Sequence, residues 1–563
     1  MVPQVQTGTT NSEGDTTHRA ISARSAFGVD GTGVKIGVLS DGIKSLATSQ
    51  ASGDLGTVTV LSGQQGPSSG DEGTAMLEIV HDVAPGAQLY FATAFNSEAS
   101  FAQNIRALRA AGCNVIIDDV GYFDESPFQD GPVAQAVNDV TAAGVLYFSS
   151  ASNSGNLDDG TSGVWESDFV TGGSGFADFD PTAGVQEEDP ISLVSASHVA
   201  TLGWADPYAG SANDYDLYLI SADGSSILDS STNTQNGTQD PYEALNVPGS
   251  SSRGTAGRRM TIALYSGAPR FMNLSLNRGS FVSGTTGLTA YATAGQTRGH
   301  SAAANAFSVA ATPAHLGFDS GQPSGPYPNA FSSSNVSETF TSDGPRRMFY
   351  ASDGTPYTPG NFTSTGGIVR QKPDITAADG VATTVPGFQP FFGTSASAPH
   401  AGAIAALLLQ AHPGLTPAEA RTTLTSTAID IDIEAAGWDR DTGSGIIDAY
   451  AAVQSVRTAP TQPTYSALSP SRLLDTRTGV GAPKAAVAVG GTVHLQVTGR
   501  GGVPVSGVSA VVLNVTVSAP TRPGFVTVYG DGTARPGCVE PELRCGSDGA
   551  EPGHRPRRDG RQG

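Results

Sequence analysis

Residues 393–400 read GTSASAPH, and the small and apolar run AGAIAALLL continues them to position 409. Small residues recur in this stretch at helical spacing, at Ser395, Ala398, Gly402 and Ala405. One face of such a helix can lie close to a sheet because no bulky side chain separates the two. The pattern therefore predicts a buried helix packed on a sheet, with Pro399 in its first turn, where a missing N–H costs little.

Ser395 would stand at the start of this helix. Its side-chain oxygen would lie beside unpaired backbone N–H groups at the positive end of the helix dipole, where an oxyanion is stabilised. Composition alone leaves open a plain alternative, a small-residue helix that is merely part of a core. The order Gly-Thr-Ser-x-x-x-Pro-His, however, resembles the nucleophile motif of the subtilisin-like serine proteases. This resemblance implies that Ser395 is a nucleophile.

Bulk composition limits the classes of function. A chain of 563 residues is long enough for about two to four domains. Its net charge of −22 argues against a nucleic-acid or anionic-membrane partner, because a polyanion would be repelled. Three cysteines are too few for a disulfide scaffold, and no apolar run reaches membrane-spanning length. Residues 1–30 lack the order of a signal peptide, so either the protein is cytosolic or its export segment is missing from this sequence.

Residues 34–39, VKIGVL, predict a short buried strand that ends at Ser40-Asp41-Gly42. Alternating α/β sheets place their chemistry at the carboxyl ends of strands. The alternative is a turn aspartate that merely caps the strand. The surroundings resemble the subtilase segment that carries the triad aspartate, which implies that role for Asp41.

Residues 71–87, DEGTAMLEIVHDVAPGA, resemble the subtilase segment with the general base, but Glu72 stands where the histidine belongs. His81 lies nine residues further on, and at roughly 100° per residue it falls on the opposite helix face. A glutamate base is a feature of the sedolisin relatives, whose triad is Ser-Glu-Asp, yet Met76 occupies the position of their aspartate. The resemblance thus implies a mixed pattern, a sedolisin-type Glu72 beside a subtilisin-placed Asp41. The alternative for Glu72 is an acid that stabilises the start of the helix.

Strand and helix patterns alternate between residues 88 and 149, as in a doubly wound parallel sheet. The segment SSASNSG at 149–155 resembles the subtilase segment that supplies an oxyanion-hole amide, which implies that Asn153 is that donor. Asp119 lies where subtilases run a substrate-contacting segment. It is a candidate for substrate binding, or for favouring the protonated form of neighbouring carboxylates.

More residues separate Asn153 from Ser395 than the core fold needs. Short runs of strand formers predict an inserted β-sandwich that resembles the jelly-roll modules of secreted bacterial proteases, at residues 199–204, 214–220, 260–264 and 273–276. Acids on these strands, as in DYDLYLI at 214–220, are candidate calcium ligands, with a solvated strand face as the alternative. The glycine-rich calcium loop expected near the sedolisin-like ending is absent, so we predict no firm cofactor and leave calcium open.

We therefore predict an α/β, subtilisin-like doubly wound parallel sheet with an inserted β-sandwich and a C-terminal β-rich module. The predicted regions are a polar lead (1–19), a discontinuous peptidase domain (20–160 and 295–457), the inserted sandwich (165–294), a linker (458–467), a β-rich module that looks truncated (468–534) and a disordered tail (535–563). Within the module, residues 510–517 and 525–529 are predicted strands.

The resemblance implies a secreted or cell-surface serine endopeptidase, expected to act as a monomer on protein or peptide substrates. Ser395 would attack the peptide carbonyl, Glu72 would accept its proton, Asp41 would orient Glu72, and Asn153 would help to hold the oxyanion. Two close carboxylates do not easily ionise together, so Asp41 and Glu72 would share a proton and favour an acidic pH optimum. The rival reading is an inactive subtilase fold that serves as a cell-surface binding module, because a carboxylate is a poor base at neutral pH.

Overall fold

The computed structural model of the chain describes residues 10–182, 184–191, 198–247, 258–277, 291–431, 436–458, 467–505, 508, 510–522, 524–529 and 542–543. The chain divides into two compact units, residues 1–459 and 460–563. The helices, in chain order, are α1 Glu13–Thr17, α2 Ala20–Phe27, α3 Leu46–Ser52, α4 Glu72–Val83, α5 Glu98–Ala110, α6 Pro132–Ala142, α7 Thr394–Ala411, α8 Pro417–Ser426 and α9 Ala449–Thr458. The strands, in chain order, are β1 Lys35–Ser40, β2 Val58–Val60, β3 Gln88–Thr93, β4 Val115–Asp118, β5 Leu146–Ser150, β6 Val164–Asp168, β7 Asp189–Pro190, β8 His198–Trp204, β9 Asp214–Ile220, β10 Ile227–Ser231, β11 Tyr242–Val247, β12 Arg259–Ser266, β13 Phe271–Asn277, β14 Phe307–Pro313, β15 Arg346–Met348, β16 Ile368–Arg370, β17 Ile375–Asp379, β18 Gly524–Phe525 and β19 Glu542–Leu543.

A parallel sheet of seven strands forms the centre of the first unit, in the order β17-β14-β5-β4-β1-β3-β2. Its inner strands are buried on both faces, which fits their apolar sequences. In the register of β1 with β4, Leu39 lies opposite Asp118, and Asp118 in turn lies opposite Ser149 of β5. The carboxyl ends of β1, β4 and β5 therefore meet at one edge of the sheet.

Helix α7 packs across this sheet and is buried from Thr394 to Leu408. Gly402 allows the close approach, because an added Cβ would collide with the Ile117 side chain of β4. The helix starts at Thr394, so Pro399 is its sixth residue and not, as predicted, in the first turn. A proline at this position cannot donate to the carbonyl four residues earlier, so Ser395 keeps a carbonyl oxygen without its helical partner.

The predicted sandwich is present as two four-stranded sheets, in the orders β10-β9-β12-β7 and β11-β8-β13-β6. The core contains large buried side chains from both sheets, among them Trp165, Trp204, Leu217 and Ile262. The large parallel sheet and these antiparallel sheets confirm the predicted fold class. The solvated strand face proposed for the acids of β9 is wrong, because Asp214 and Asp216 are buried.

The boundary of the polar lead also needs correction, because residues 12–18 pack into the first unit. Ser12 caps α1 by accepting the Gly14 N–H, and its own N–H donates to Asp82 at the far end of α4 (2.7 Å). Its hydroxyl lies 2.7 Å from Nε2 of His400 in α7. Polar residues here are thus buried and paired, which composition alone did not reveal.

His18, which follows α1, is 1% exposed and has a defined tautomer. Its Nδ1 lies 2.7 Å from the Ile447 carbonyl oxygen, and its Nε2 accepts the Ala378 N–H (2.9 Å). A carbonyl oxygen can only accept, so the single ring proton is on Nδ1 and the imidazole is neutral. Burial lowers the pKa of His18 to about 4.

The second unit shows little regular structure in its described residues. Strands β18 and β19 pair antiparallel, and Asp475 bridges to Val480. Of residues 510–517, predicted as a strand, Val517 alone forms an isolated bridge, and of residues 525–529 Phe525 alone is in a strand. Strand-forming residues need a paired neighbour and a buried face before they form a sheet. The predicted tail, 535–563, lies outside the described residues except for 542–543.

Candidate active site

Asp41 follows β1 and anchors the start of α4. Its Oδ1 accepts the backbone N–H groups of Glu72 (2.9 Å) and Gly73 (3.4 Å), and its Oδ2 accepts that of Asp71 (3.2 Å). These N–H groups are ones that a helix leaves unpaired at its start. Asp41 therefore fixes the position of the residue predicted to be the general base, through its backbone.

Glu72 is the first residue of α4 and is half-buried at the sheet edge. Met76, one turn later, is fully buried in the apolar core, so no acid supports Glu72 from the position where sedolisins carry one. His81 lies in the last turn of the same helix, near Asp54, and burial lowers its pKa. It is far from the start of the helix, as the spacing predicts.

Asp119 follows β4 and lies beside Glu72. Residues alternate across a strand, and Ile117 points to α7, so Asp119 lies on the α4 and α7 side of the sheet. Burial and the charge of Glu72 raise the pKa of Asp119 well above its ordinary value, and Asp41 adds to the effect. The structure thus places three carboxyl groups together, and Asp119 is the one whose protonated form is favoured.

Asn153, after β5, holds the residue before the predicted nucleophile. Its Oδ1 accepts both the N–H (2.9 Å) and the hydroxyl (2.8 Å) of Thr394. Its Nδ2 remains a donor and lies 3.2 Å from where a Cβ on Gly393 would be. Ser395 is 6% exposed in the first turn of α7. No acceptor for the Ser395 N–H is found in the part of the chain that the structure describes, so this N–H is available beside the Asn153 amide.

His300 occupies a separate buried cluster on the other face of the sheet. It bridges Glu125, 2.9 Å from Nδ1, and Asp118, 3.0 Å from Nε2, and Ser149 lies 3.4 Å away. Burial opposes its charge, but Glu125 and Asp118 outweigh this and raise the pKa of His300 well above its ordinary value. A charged imidazole cannot accept a proton. The sequence analysis did not predict this cluster. One signal was present: successive side chains along a strand point to opposite faces of the sheet, so Asp118 and Asp119 belong on opposite faces.

Within the described ranges, no group of three or more His, Cys, Asp or Glu side chains is placed to hold a metal ion. Asp206 and Asp216 have protein partners instead: Asp206 pairs with Arg270 (2.8 Å), and Asp216 accepts the Tyr218 hydroxyl (2.8 Å). Calcium binding stays an open expectation. The helices in this part of the chain include none long and apolar enough to cross a membrane.

Comparison with known proteins gives one family match. Residues 59–446 match the model of the subtilase family, a range that contains Glu72, Asn153 and Ser395 and starts after Asp41. Fervidolysin from Fervidobacterium pennivorans is 44% identical over 62 residues, which are 11% of this chain and 9% of that protein. The matched part is thus under a tenth of the length of this curated relative.

Two solved structures are among those that match this chain. The CspB protease of Clostridium perfringens has a TM-score of 0.47 and 14% identity, covering 78% of this chain and 97% of the other. The psychrophilic subtilisin-like protease Apa1 from Pseudoalteromonas sp. AS-11 has a TM-score of 0.33 and 14% identity, covering 80% of this chain and 100% of the other.

Proposed function

The chain belongs to the subtilase family of serine proteases, and we propose that it is an endopeptidase that cleaves peptide bonds through an acyl-enzyme on Ser395. The observation that carries the proposal is the arrangement at the start of α7. There Ser395 follows a residue that is hydrogen-bonded twice to Asn153. A serine in this position has two donors near the place where charge develops on the peptide oxygen, its own N–H and the Asn153 amide.

Glu72 is the proposed general base. It would accept the Ser395 hydroxyl proton during attack and return it to the leaving amine. Asp41 supports it by holding the start of α4, through the N–H groups of Glu72 and its neighbours. The triad proposed from the sequence, Ser395, Glu72 and Asp41, is kept, with Asp41 acting on the backbone of the base.

Asp119 should make the rate of peptide hydrolysis depend on pH. Protonation of Asp119 removes one negative charge from beside Glu72 and Asp41, so that Glu72 can act as a base. When Asp119 ionises at higher pH, an additional buried negative charge faces the oxyanion that forms during attack, and the transition state is disfavoured. We therefore expect an acidic optimum and a rate that falls toward alkaline pH.

A fluorophosphonate probe tests the nucleophile. Wild-type protein should be labelled at acidic pH, and Ser395→Ala should not. Failure of the folded wild-type protein to be labelled between pH 4 and 9 would reject the enzyme and favour an inactive binding module.

Peptide hydrolysis as a function of pH tests the base. We expect Glu72→Gln to abolish turnover, because an amide cannot accept the proton, and Asp119→Asn to remain active at alkaline pH. The matched control is Glu98→Gln, since Glu98 is also a half-buried acid in the first turn of its helix. Full activity of Glu72→Gln, or an alkaline optimum in the wild type, would mean that another group is the base.

A further inference from the structure

We propose that Asp379 is a positioning residue for the reaction, and that with Glu338 it forms a proton-sharing carboxyl pair that holds the Gly393 amide in place. This inference rests on the proposed function of Ser395, two residues further along the chain. Asp379 acts through the backbone that leads into α7.

Asp379 is the last residue of β17 and is fully buried. Its Oδ2 accepts the Gly393 N–H at 3.0 Å. Gly393 has a φ of 117°, a conformation that residues with a Cβ rarely adopt, so this turn is not held by local preference. Thr394 is held on the other side by Asn153. The two residues before Ser395 are therefore fixed by hydrogen bonds to Asp379 and Asn153. A shift of either acceptor would move the N–H of Ser395.

Glu338 is the second member of the pair and is also fully buried. Its carboxyl group accepts the Phe318 N–H (3.1 Å) and is hydrogen-bonded to the carboxyl group of Asp379. Two carboxylates cannot form such a bond unless one of them carries a proton. Apart from this contact, Asp379 Oδ1 is buried without a hydrogen-bond partner among the described residues. A proton shared between these two adjacent buried carboxyl groups would satisfy both of them and orient Asp379 so that Oδ2 faces Gly393.

The groups around Asp379 and Glu338 favour the state in which the two carboxyl groups share one proton. Asp319 adds a negative charge beside Glu338, and the Gln322 amide is a neutral neighbour. On the α1 side, Glu13 accepts the Ala382 N–H (2.7 Å), and the neutral His18 lies under Ala378. Burial raises the pKa of Glu338 to about 7, and burial and the charge of Glu338 raise the pKa of Asp379 well above its ordinary value.

Loss of the shared proton would place two adjacent charges in a buried site. Their repulsion would separate the carboxyl groups and release Gly393. The pair therefore holds the backbone at the start of α7 in position at acidic pH, and this hydrogen bond to Gly393 is weakened at alkaline pH. This effect does not involve Asp119, which follows β4, a strand separated from β17 by β14 and β5.

The test compares four variants with the wild type, by steady-state kinetics on a peptide substrate at acidic pH. Asp379→Ala should lower kcat about 10- to 100-fold with KM within about twofold, because a misplaced Ser395 affects the transition state more than binding. Asp379→Asn should restore kcat to within about fivefold of the wild type, since its Oδ1 can accept the Gly393 N–H and its amide can donate to Glu338. Glu338→Gln should behave likewise. Asp189→Asn, at a fully buried carboxyl group of β7 in the sandwich, controls for the loss of a buried acid.

The pH profile separates positioning from a merely structural role. In the wild type, loss of protons from both the Asp119 site and the Asp379 pair should bring the alkaline slope of log kcat/KM toward −2. Asp379→Asn and Glu338→Gln should reduce it toward −1, and Asp189→Asn should leave it unchanged. An unchanged slope in both pair variants would overturn the inference, even if Asp379→Ala fails to fold. An unchanged kcat in a folded Asp379→Ala variant would also overturn the inference. Absence of labelling of Ser395 in the wild type would reject the proposed function. A labelled wild type with an unchanged slope in both pair variants would reject only the role of Asp379 and Glu338.

Discussion

Replacement of His18 by Phe should change how the stability of the protein depends on pH. The neutral His18 ring accepts one N–H and donates to one carbonyl, and both partners are buried with it. Phe keeps the approximate shape of the ring but leaves the Ala378 N–H and the Ile447 carbonyl without a partner. At about 1–3 kcal/mol for each of the two buried groups, His18→Phe should be about 2–6 kcal/mol less stable than the wild type at pH 7.

This difference should shrink in acid. The pKa of His18 is lowered to about 4 in the folded protein, against an ordinary value of 6.5. Between these two pH values the unfolded chain binds more protons than the folded one, so the stability contributed by His18 is lost as pH falls. At about 1.4 kcal/mol for each pH unit, the wild type should lose about 3 kcal/mol through this residue between pH 6.5 and pH 4. Phe cannot titrate, so the stability of the variant does not fall with pH through this position.

Urea unfolding at pH 7, 5.5 and 4 measures the effect. Both proteins should carry Ser395→Ala, so that self-cleavage does not interfere. All three tryptophans of the chain, at positions 165, 204 and 438, belong to the first unit, so their fluorescence reports its unfolding. The exposed His315 gives the matched control, because His315→Phe should shift stability equally at every pH. A gap between wild type and His18→Phe that stays constant from pH 7 to pH 4 would refute the neutral, buried imidazole.

Three further predictions concern other parts of the chain. Asp82, whose pKa is raised well above its ordinary value by burial, should destabilise the protein as pH rises, so Asp82→Asn should gain stability over the wild type between pH 5 and pH 8 in the same urea assay. Phe271 packs edge-on against Phe128, and Phe271→Ala should lower the free energy of unfolding by about 3–5 kcal/mol; a loss below about 1 kcal/mol would mean that this contact between the sandwich and the peptidase region is loose. A chain ending at residue 459 should keep full kcat and KM, because all proposed site residues lie in the first unit, and a tenfold loss would show that the second unit contributes to the site.

The sequence was sufficient to predict the alternation of strands and helices, because apolar periodicity and turn residues act locally. It also placed Asn153 and Ser395 at the ends of elements that meet at one edge of the sheet. The start of α7 was misplaced because that boundary depends on the unusual backbone of Gly393 and its contact with Asp379, which local composition does not encode.

Contacts between distant segments were harder to predict. The polar residues before position 19 resemble a solvated lead, and their burial depends on partners such as His400, hundreds of positions away. The Asp379 and Glu338 pair is hidden for a similar reason, since an acid at the end of an apolar strand has no local sign of a buried acidic neighbour. In the second unit, strand formers at 510–517 carry the usual composition, but composition does not provide a paired neighbour.

The central helix α7 has a consequence for the biosynthesis of the protein. The strands that precede Asp41, Asp119 and Asn153 are complete by residue 150, whereas the nucleophile is added at residue 395, after the whole sandwich. At about 5–20 residues per second, a ribosome needs roughly 12 to 50 seconds to make the chain between them. At the start of that interval the nascent chain contains strands β1 to β5 of the sheet but lacks β14, β17, the central helix and the nucleophile. We therefore expect the growing chain to be unable to cut itself or its neighbours until α7, which ends at residue 411, has been synthesised and has packed into the sheet.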